Sequence, residues 1–82
     1  MVTRVEQAER TRAKIVASAR RLFAEQGYFS TGTTEIVREA GAGTRGALYH
    51  HFTDKEALFA AVLEELEADL AVRVGVTVTG ET

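Results

Sequence analysis

The 82-residue chain has no cysteine, no proline and no tryptophan, and each absence removes a class of protein. Without cysteine there is neither a disulfide framework nor a thiolate metal site. Without proline, helices must be stopped by other means, and glycine is the breaker that remains. No apolar run reaches membrane-spanning length, and the N-terminus MVTRVEQAERTR is too polar for a secretory signal. The expectation is a soluble, cytoplasmic chain. At this length it forms one small domain whose core gives modest stability.

Charge is scarce in one sign only when the chain is divided. The formal net charge is −2, which by itself argues against a polyanion partner. Residues 1–53, however, carry eight Lys/Arg against five Asp/Glu, whereas residues 54–82 carry two against seven. A positive first part and an acidic last part suit a molecule with a nucleic-acid side and a far side.

The spacing of apolar residues predicts four helices. The first runs from about Glu6 to Gln26, with Ala8, Ile15, Ala19, Leu22 and Phe23 at three- and four-residue steps, and stops at Gly27. Arg10, Arg12 and Lys14 cluster towards its start; any one of them also reads as part of a solvated face. Thr31 is expected to cap a second helix of about eight residues that turns Ile36, Val37 and Ala40 inward. The third spans about Arg45 to His51. The fourth starts at Thr53 or Asp54, where Thr53-x-x-Glu56 matches a capping box, and Leu58, Phe59, Val62 and Leu66 continue the core. Leu63, Leu66, Leu70 and Val74 form a stripe too long for a three-helix head to cover, which implies a further surface against it. The end, VGVTVTGET, alternates like a strand without a partner strand, so residues 71–82 are expected to be a frayed or disordered tail.

The segment IVREAGAGTRGALYHHFTDK, Ile36 to Lys55, has the spacing of a helix-turn-helix, in which the second helix enters the DNA major groove. Gly41 and Gly43 permit left-handed angles where the chain reverses, and Thr44 is placed to cap the helix that follows. Leu48 and Phe52, four residues apart, share the buried face. Counting about 100° per residue from Leu48 puts Gly46, Ala47, Tyr49 and His50 on the outer half, with Arg45 and His51 flanking the seam. Gly46 and Ala47 are small, so the backbone can approach base edges, and an alanine methyl can meet a thymine methyl. Tyr49 sits at the edge of the buried face and also reads as a half-buried core aromatic.

From Thr11 to about Leu70 the chain resembles the N-terminal DNA-binding domain of the TetR (tetracycline-repressor-like) family of transcriptional regulators. The resemblance rests on TRAKIVASARRLF, the Gly27-Tyr28 pair, Thr31 with Ile36, Ala40-Gly41, GALYHHF from Gly46 to Phe52 and DKEALF from Asp54 to Phe59. GALYHHF followed by DKEAL is specific in combination. The resemblance implies an all-α fold, a homeodomain-like three-helix head with a longer fourth helix, spanning residues 8–70 with the helix-turn-helix at about 32–51. It implies that the residue at Thr31 caps the second helix and touches phosphate, that those at Arg45, Gly46 and Ala47 face bases, and that those at Tyr49, His51 and Lys55 hold the DNA backbone. The candidate DNA-binding set is therefore Thr31, Thr44, Arg45, Gly46, Ala47, Tyr49, His50, His51 and Lys55. The implied function is sequence-specific binding of double-stranded DNA at a palindromic operator, with repression by promoter occlusion as the family's usual mode.

This chain departs from the family in two places. Ala42, Gly43 and Thr44 lie between Ala40-Gly41 and Arg45-Gly46, one residue more than the usual turn. Family members also carry a second helical domain that binds an inducer and makes the dimer; it is expected to be absent here, leaving no inducer pocket and weak or no self-association.

Rival readings come from other classes. Gly41-Ala-Gly43-Thr-Arg-Gly46 satisfies the GxGxxG pattern of dinucleotide-binding proteins, and Glu64, Glu65 and Glu67 fall near the distance of a ribose-binding acid. That fingerprint needs a buried strand before its first glycine, whereas TEIVREA is charged and helical in period. His50 and His51 invite a metal, but adjacent helical residues diverge and no other ligand completes a tetrahedral set. A helical module that pairs with another protein through the Leu63 to Val74 stripe is the remaining alternative. No nucleophile–base pair is visible, so neither catalysis nor a cofactor is expected.

Overall fold

Why α1, Arg4–Gln26, forms and where it stops are both visible in its bonds. Thr3 caps it by accepting from the Glu6 N–H at 3.1 Å, and the helix begins at Arg4, two residues before the expected start and within the usual uncertainty of helix ends. Its apolar face buries Ile15, Val16, Ala19 and Leu22. The helix ends at Gly27, whose N–H reaches the Phe23 carbonyl at 2.8 Å. In the computed structural model the backbone is described for residues 3–81 and side chains for residues 3–73.

Three further helices follow: α2 Thr33–Ala40, α3 Arg45–His51 and α4 Lys55–Glu81. The described residues form an all-α head with no strand. α1 is the hub, packing against α2, α3 and α4. The core at their junction is formed by Ile15, Ile36, Leu48 and Leu58, each fully buried, with Val16, Leu22, Val37, Phe52 and Val62 around them. One end is closed by three rings: Phe23 from α1, Tyr28 from the loop and Phe59 from α4 lie with centroids 4.9 to 5.6 Å apart.

Where sequence and structure differ, the reasons are local. Thr31 does not cap α2. Gly32 occupies the N-cap, with no side-chain bond, and Thr31 is 1 % exposed. Its hydroxyl points back to the end of α1, donating to the Gly27 carbonyl at 2.9 Å with the Leu22 carbonyl at 3.3 Å, and it accepts from Gln26 Nε2 at 3.2 Å. A buried carbonyl at a helix end needs a donor more than an exposed N-terminus does, since water satisfies the latter.

At α4 the cap is Asp54, whose carboxylate accepts from the Ala57 N–H at 2.8 Å, rather than Thr53 in a capping box with Glu56. α4 also continues well beyond Leu70: its backbone is helical to Glu81, where a frayed or disordered tail was expected. Valine and threonine favour strands only weakly. Once a helix is nucleated each added residue gains a hydrogen bond, and no proline interrupts this one. Of the apolar stripe, Leu66 packs against the core, while Leu63 and Leu70 are exposed; the side chain of Val74 lies outside the described residues. No helix among the described residues is long and apolar enough to cross a membrane.

Candidate nucleic-acid interface

α3 has seven residues, too few to hold a helix alone in water. Packing holds it. Leu48 is fully buried between α1 and α2, and Phe52 follows it into the core with extended backbone angles. Burying Leu48 contributes about 1.5–3 kcal/mol, which turns a marginal turn of helix into a fixed rod.

The reversal before α3 is made by glycines. Gly41 ends α2 at φ +65°, with its N–H on the Arg38 carbonyl at 3.1 Å, and the Ala42 N–H reaches the Val37 carbonyl at 3.1 Å. Gly43 sits at φ +91°, a conformation that L side chains rarely adopt. The additional turn residue is thus accommodated by a second reversed glycine. Thr44 takes the N-cap position of α3, and its carbonyl, rather than its hydroxyl, accepts from Ala47 at 3.1 Å. TEIVREA is the amphipathic helix α2, with Ile36 and Val37 buried. This removes the strand on which a dinucleotide-binding reading of the glycines depends.

With Leu48 inward, Arg45, Gly46 and His50 are exposed, Ala47 is partly exposed and Tyr49 is 47 % exposed. Five of the nine candidate residues therefore share one outward surface. Tyr49 is not part of the core. The surface begins at an open cleft of about 380 Å³ between α2 and the start of α3, lined by Thr34, Val37 and Arg38 on one side and Gly43, Thr44 and Arg45 on the other. Arg38 was not singled out from the sequence. Its position in the last turn of α2, one residue pair before Gly41-Ala42-Gly43, was the available signal.

The other candidates are placed differently. Thr31 is buried and its hydroxyl is engaged, so its side chain is not offered to a ligand in this conformation. Lys55 is partly buried. Its ammonium donates to the Tyr28 carbonyl at 2.6 Å and lies 4.3 Å from the Tyr28 ring centroid, tying the start of α4 to the α1–α2 loop. Burial, then the nearby Glu56 and Asp54 carboxylates, pushes the Tyr28 hydroxyl above its ordinary value and keeps it neutral.

His51 is half-buried beside Phe52, and its ring lies 5.0 Å from that of His50. Desolvation, followed by the charges of His50 and Arg12, holds its pKa below the ordinary 6.5. Among the described residues no group of three or more His, Cys, Asp or Glu side chains converges as a metal site would require.

The arginines separate by surroundings. Arg20 bonds Glu65 and Asp69 on α4, each at 2.8 Å, and Arg21 pairs with Glu25 at 3.2 Å and with Glu39. Arg12 instead lies over the Phe52 ring, 5.0 Å from its centroid. Arg45, like Arg12, has no ion pair within 4 Å among the described residues, so both charges remain open to an incoming anion.

Comparison with known proteins agrees with this geometry. The model of bacterial regulatory proteins of the tetR family matches residues 15–62. The HTH-type transcriptional regulator AcrR of Shigella flexneri is 45% identical over 65 residues, which is 79% of this chain and 30% of that protein. The HTH-type transcriptional repressor AcnR of Corynebacterium efficiens is 45% identical over 64 residues, 78% of this chain and 34% of its own. The HTH-type transcriptional regulator TtgR of Pseudomonas putida is 43% identical over 61 residues, 74% and 29% respectively. The chain spans about a third of the length of these relatives.

Proposed function

The chain belongs to the TetR family of bacterial regulatory proteins, and on that premise we propose that residues 8–70 are its operator-binding head, acting in transcription by occluding a promoter. The observation that carries this reading is the outer face of α3. Gly46 and Ala47 give close backbone approach beside an unpaired Arg45, on a helix pinned through Leu48. With α3 in the major groove, Arg45 donates to a guanine edge or a flanking phosphate. Tyr49, His51, Lys55 and the uncapped N-terminus of α2 at Gly32 and Thr33 hold the sugar–phosphate backbone. Lys55 does this while keeping its bond to Tyr28, since an ammonium has three donors. Thr31 belongs to the scaffold, its hydroxyl bonded to carbonyls at the end of α1.

The relatives are named as transcriptional regulators and repressors, and no step of this reading needs catalysis. A palindromic operator follows if two heads are held together, since linked weak sites bind far more tightly than one. The acidic part of α4 from Glu64 to Asp69 then faces away from DNA, and the place of action is the cytoplasm, with the chromosome.

Salt titration of binding to a duplex selected from random oligonucleotides tests the proposal. About three to five phosphate contacts give a log–log slope of roughly −3 to −4. A flat dependence, or no binding at low salt, would overturn it.

A further inference from the structure

Arg12 is far in sequence from α3, yet it lies against the residue that ends that helix. Its guanidinium lies 5.0 Å from the centroid of the Phe52 ring, and Phe52 is itself fixed in the core. His51 packs beside the same ring, with centroids 6.4 Å apart, and His50 meets His51 edge to face at 5.0 Å. Arg12 from α1 and His51 from α3 thus share one buried aromatic, and His50 adjoins His51. The charged groups acting on His51 are His50 on its own helix and Arg12 on α1. Such an arrangement is unfavourable on its own, because protonating His51 places its positive charge beside that of Arg12. It becomes favourable when an anion joins it.

We propose that Arg12, His50 and His51 form one anion seat beside the groove-facing surface of α3, and that a DNA backbone phosphate enters it together with a proton. This rests on the operator-binding reading and adds a regulatory property to it: affinity rises as pH falls. In the free protein His51 is held neutral at neutral pH by its partial burial and by its neighbours His50 and Arg12. A phosphate in the seat reverses the sign of the local field and favours the imidazolium, which gains a charge-assisted hydrogen bond. The bound state therefore holds more protons than the free state between the two titration midpoints. In that window each proton taken up strengthens binding by up to about tenfold per pH unit. Below the free midpoint both states are protonated and the gain stops.

The test measures the dissociation constant of the chain for a selected duplex from pH 8 to pH 6 at constant ionic strength, for wild type, R12Q, H50Q and H51Q. Circular dichroism confirms that each variant is folded. Wild type is expected to bind about three- to tenfold more tightly at pH 6 than at pH 8. H51Q should flatten the profile, and H50Q should weaken binding. R12Q should weaken binding at every pH. Histidine titration by NMR in the DNA-free protein supplies a readout independent of binding: in R12Q the His51 midpoint should move up towards 6.5, because a neighbouring positive charge is gone. Binding with the same slope in wild type and H51Q, or a His51 midpoint unmoved in R12Q, would overturn the seat and leave the operator-binding reading standing. No binding at any pH would overturn both.

Discussion

Arg12 and Arg20 lie on the same helix about two turns apart, and their surroundings are opposite in kind. Around Arg20 the polar groups pair with one another. Arg20 bridges to Glu65 and Asp69, Arg21 to Glu25 and Glu39, and Gln26 to Thr31 and Glu35. Around Arg12 the groups that could carry positive charge face one another and an aromatic ring, with no carboxylate bonded to Arg12 among the described residues. The first region joins α1 to α2 and α4. The second borders α3 and leaves its charge unspent. Identical residue types thus do two jobs, and the partner decides which: a cation with a carboxylate contributes to the scaffold, and one without remains available to an external anion.

The sharpest way to break this division is to remove the residue on which both regions depend. Leu48→Ala should cost about 2–5 kcal/mol, measured by urea denaturation, and should abolish duplex binding together with the order of α3. If the variant lost little stability and still bound, α3 would be held by something other than the core.

Thr31→Val tests whether the polar seam is purely structural. Removing a buried hydroxyl from the Gly27 carbonyl and from Gln26 should cost about 1–3 kcal/mol, while affinity measured on the folded protein stays at the wild-type value. A large affinity loss with stability unchanged would place Thr31 on the DNA instead.

On the outer surface the expectation is reversed. Arg45→Ala should leave the melting temperature unchanged and relax base preference at one or two positions by about 1–3 kcal/mol each, read by oligonucleotide selection. Tyr49→Phe and Lys55→Ala should weaken binding to all sequences alike. Lys55→Ala should also lower stability slightly, because Lys55 ties Tyr28 to α4.

Smallest is Arg20→Gln. The ion pairs it breaks are solvent-exposed, so the melting temperature should fall modestly, by an amount that shrinks at high salt, with duplex affinity unaltered. An affinity loss comparable to that of R12Q would erase the distinction between the two arginines.

How much of this was legible beforehand depends on the range of the interaction. The helix-turn-helix, the inward Ile36, Val37, Leu48 and Phe52, and the exposed Gly46, Ala47 and Tyr49 follow from helical period, since residues within one helix have fixed relative angles. The glycine turn was legible for the same reason, as φ is a property of single residues. Thr31 and Lys55 were less legible. Their partners, Gly27 and Tyr28, belong to a loop whose path is not periodic, and a hydroxyl or ammonium bonds whichever carbonyl the packing brings near. At the end of α4 the backbone is helical to Glu81, since alternating valine and threonine describe a local preference that helix propagation outweighs.

By itself, then, the sequence determined the all-α class, the position of the turn, the identity of the pinning residues and the family, because apolar period and glycine placement act over a few residues. Tertiary structure alone decided which cations are spent and which are free. Arg12 meets Phe52 and Arg20 meets Glu65 across helices, and such pairings depend on helix packing angles that no local pattern encodes.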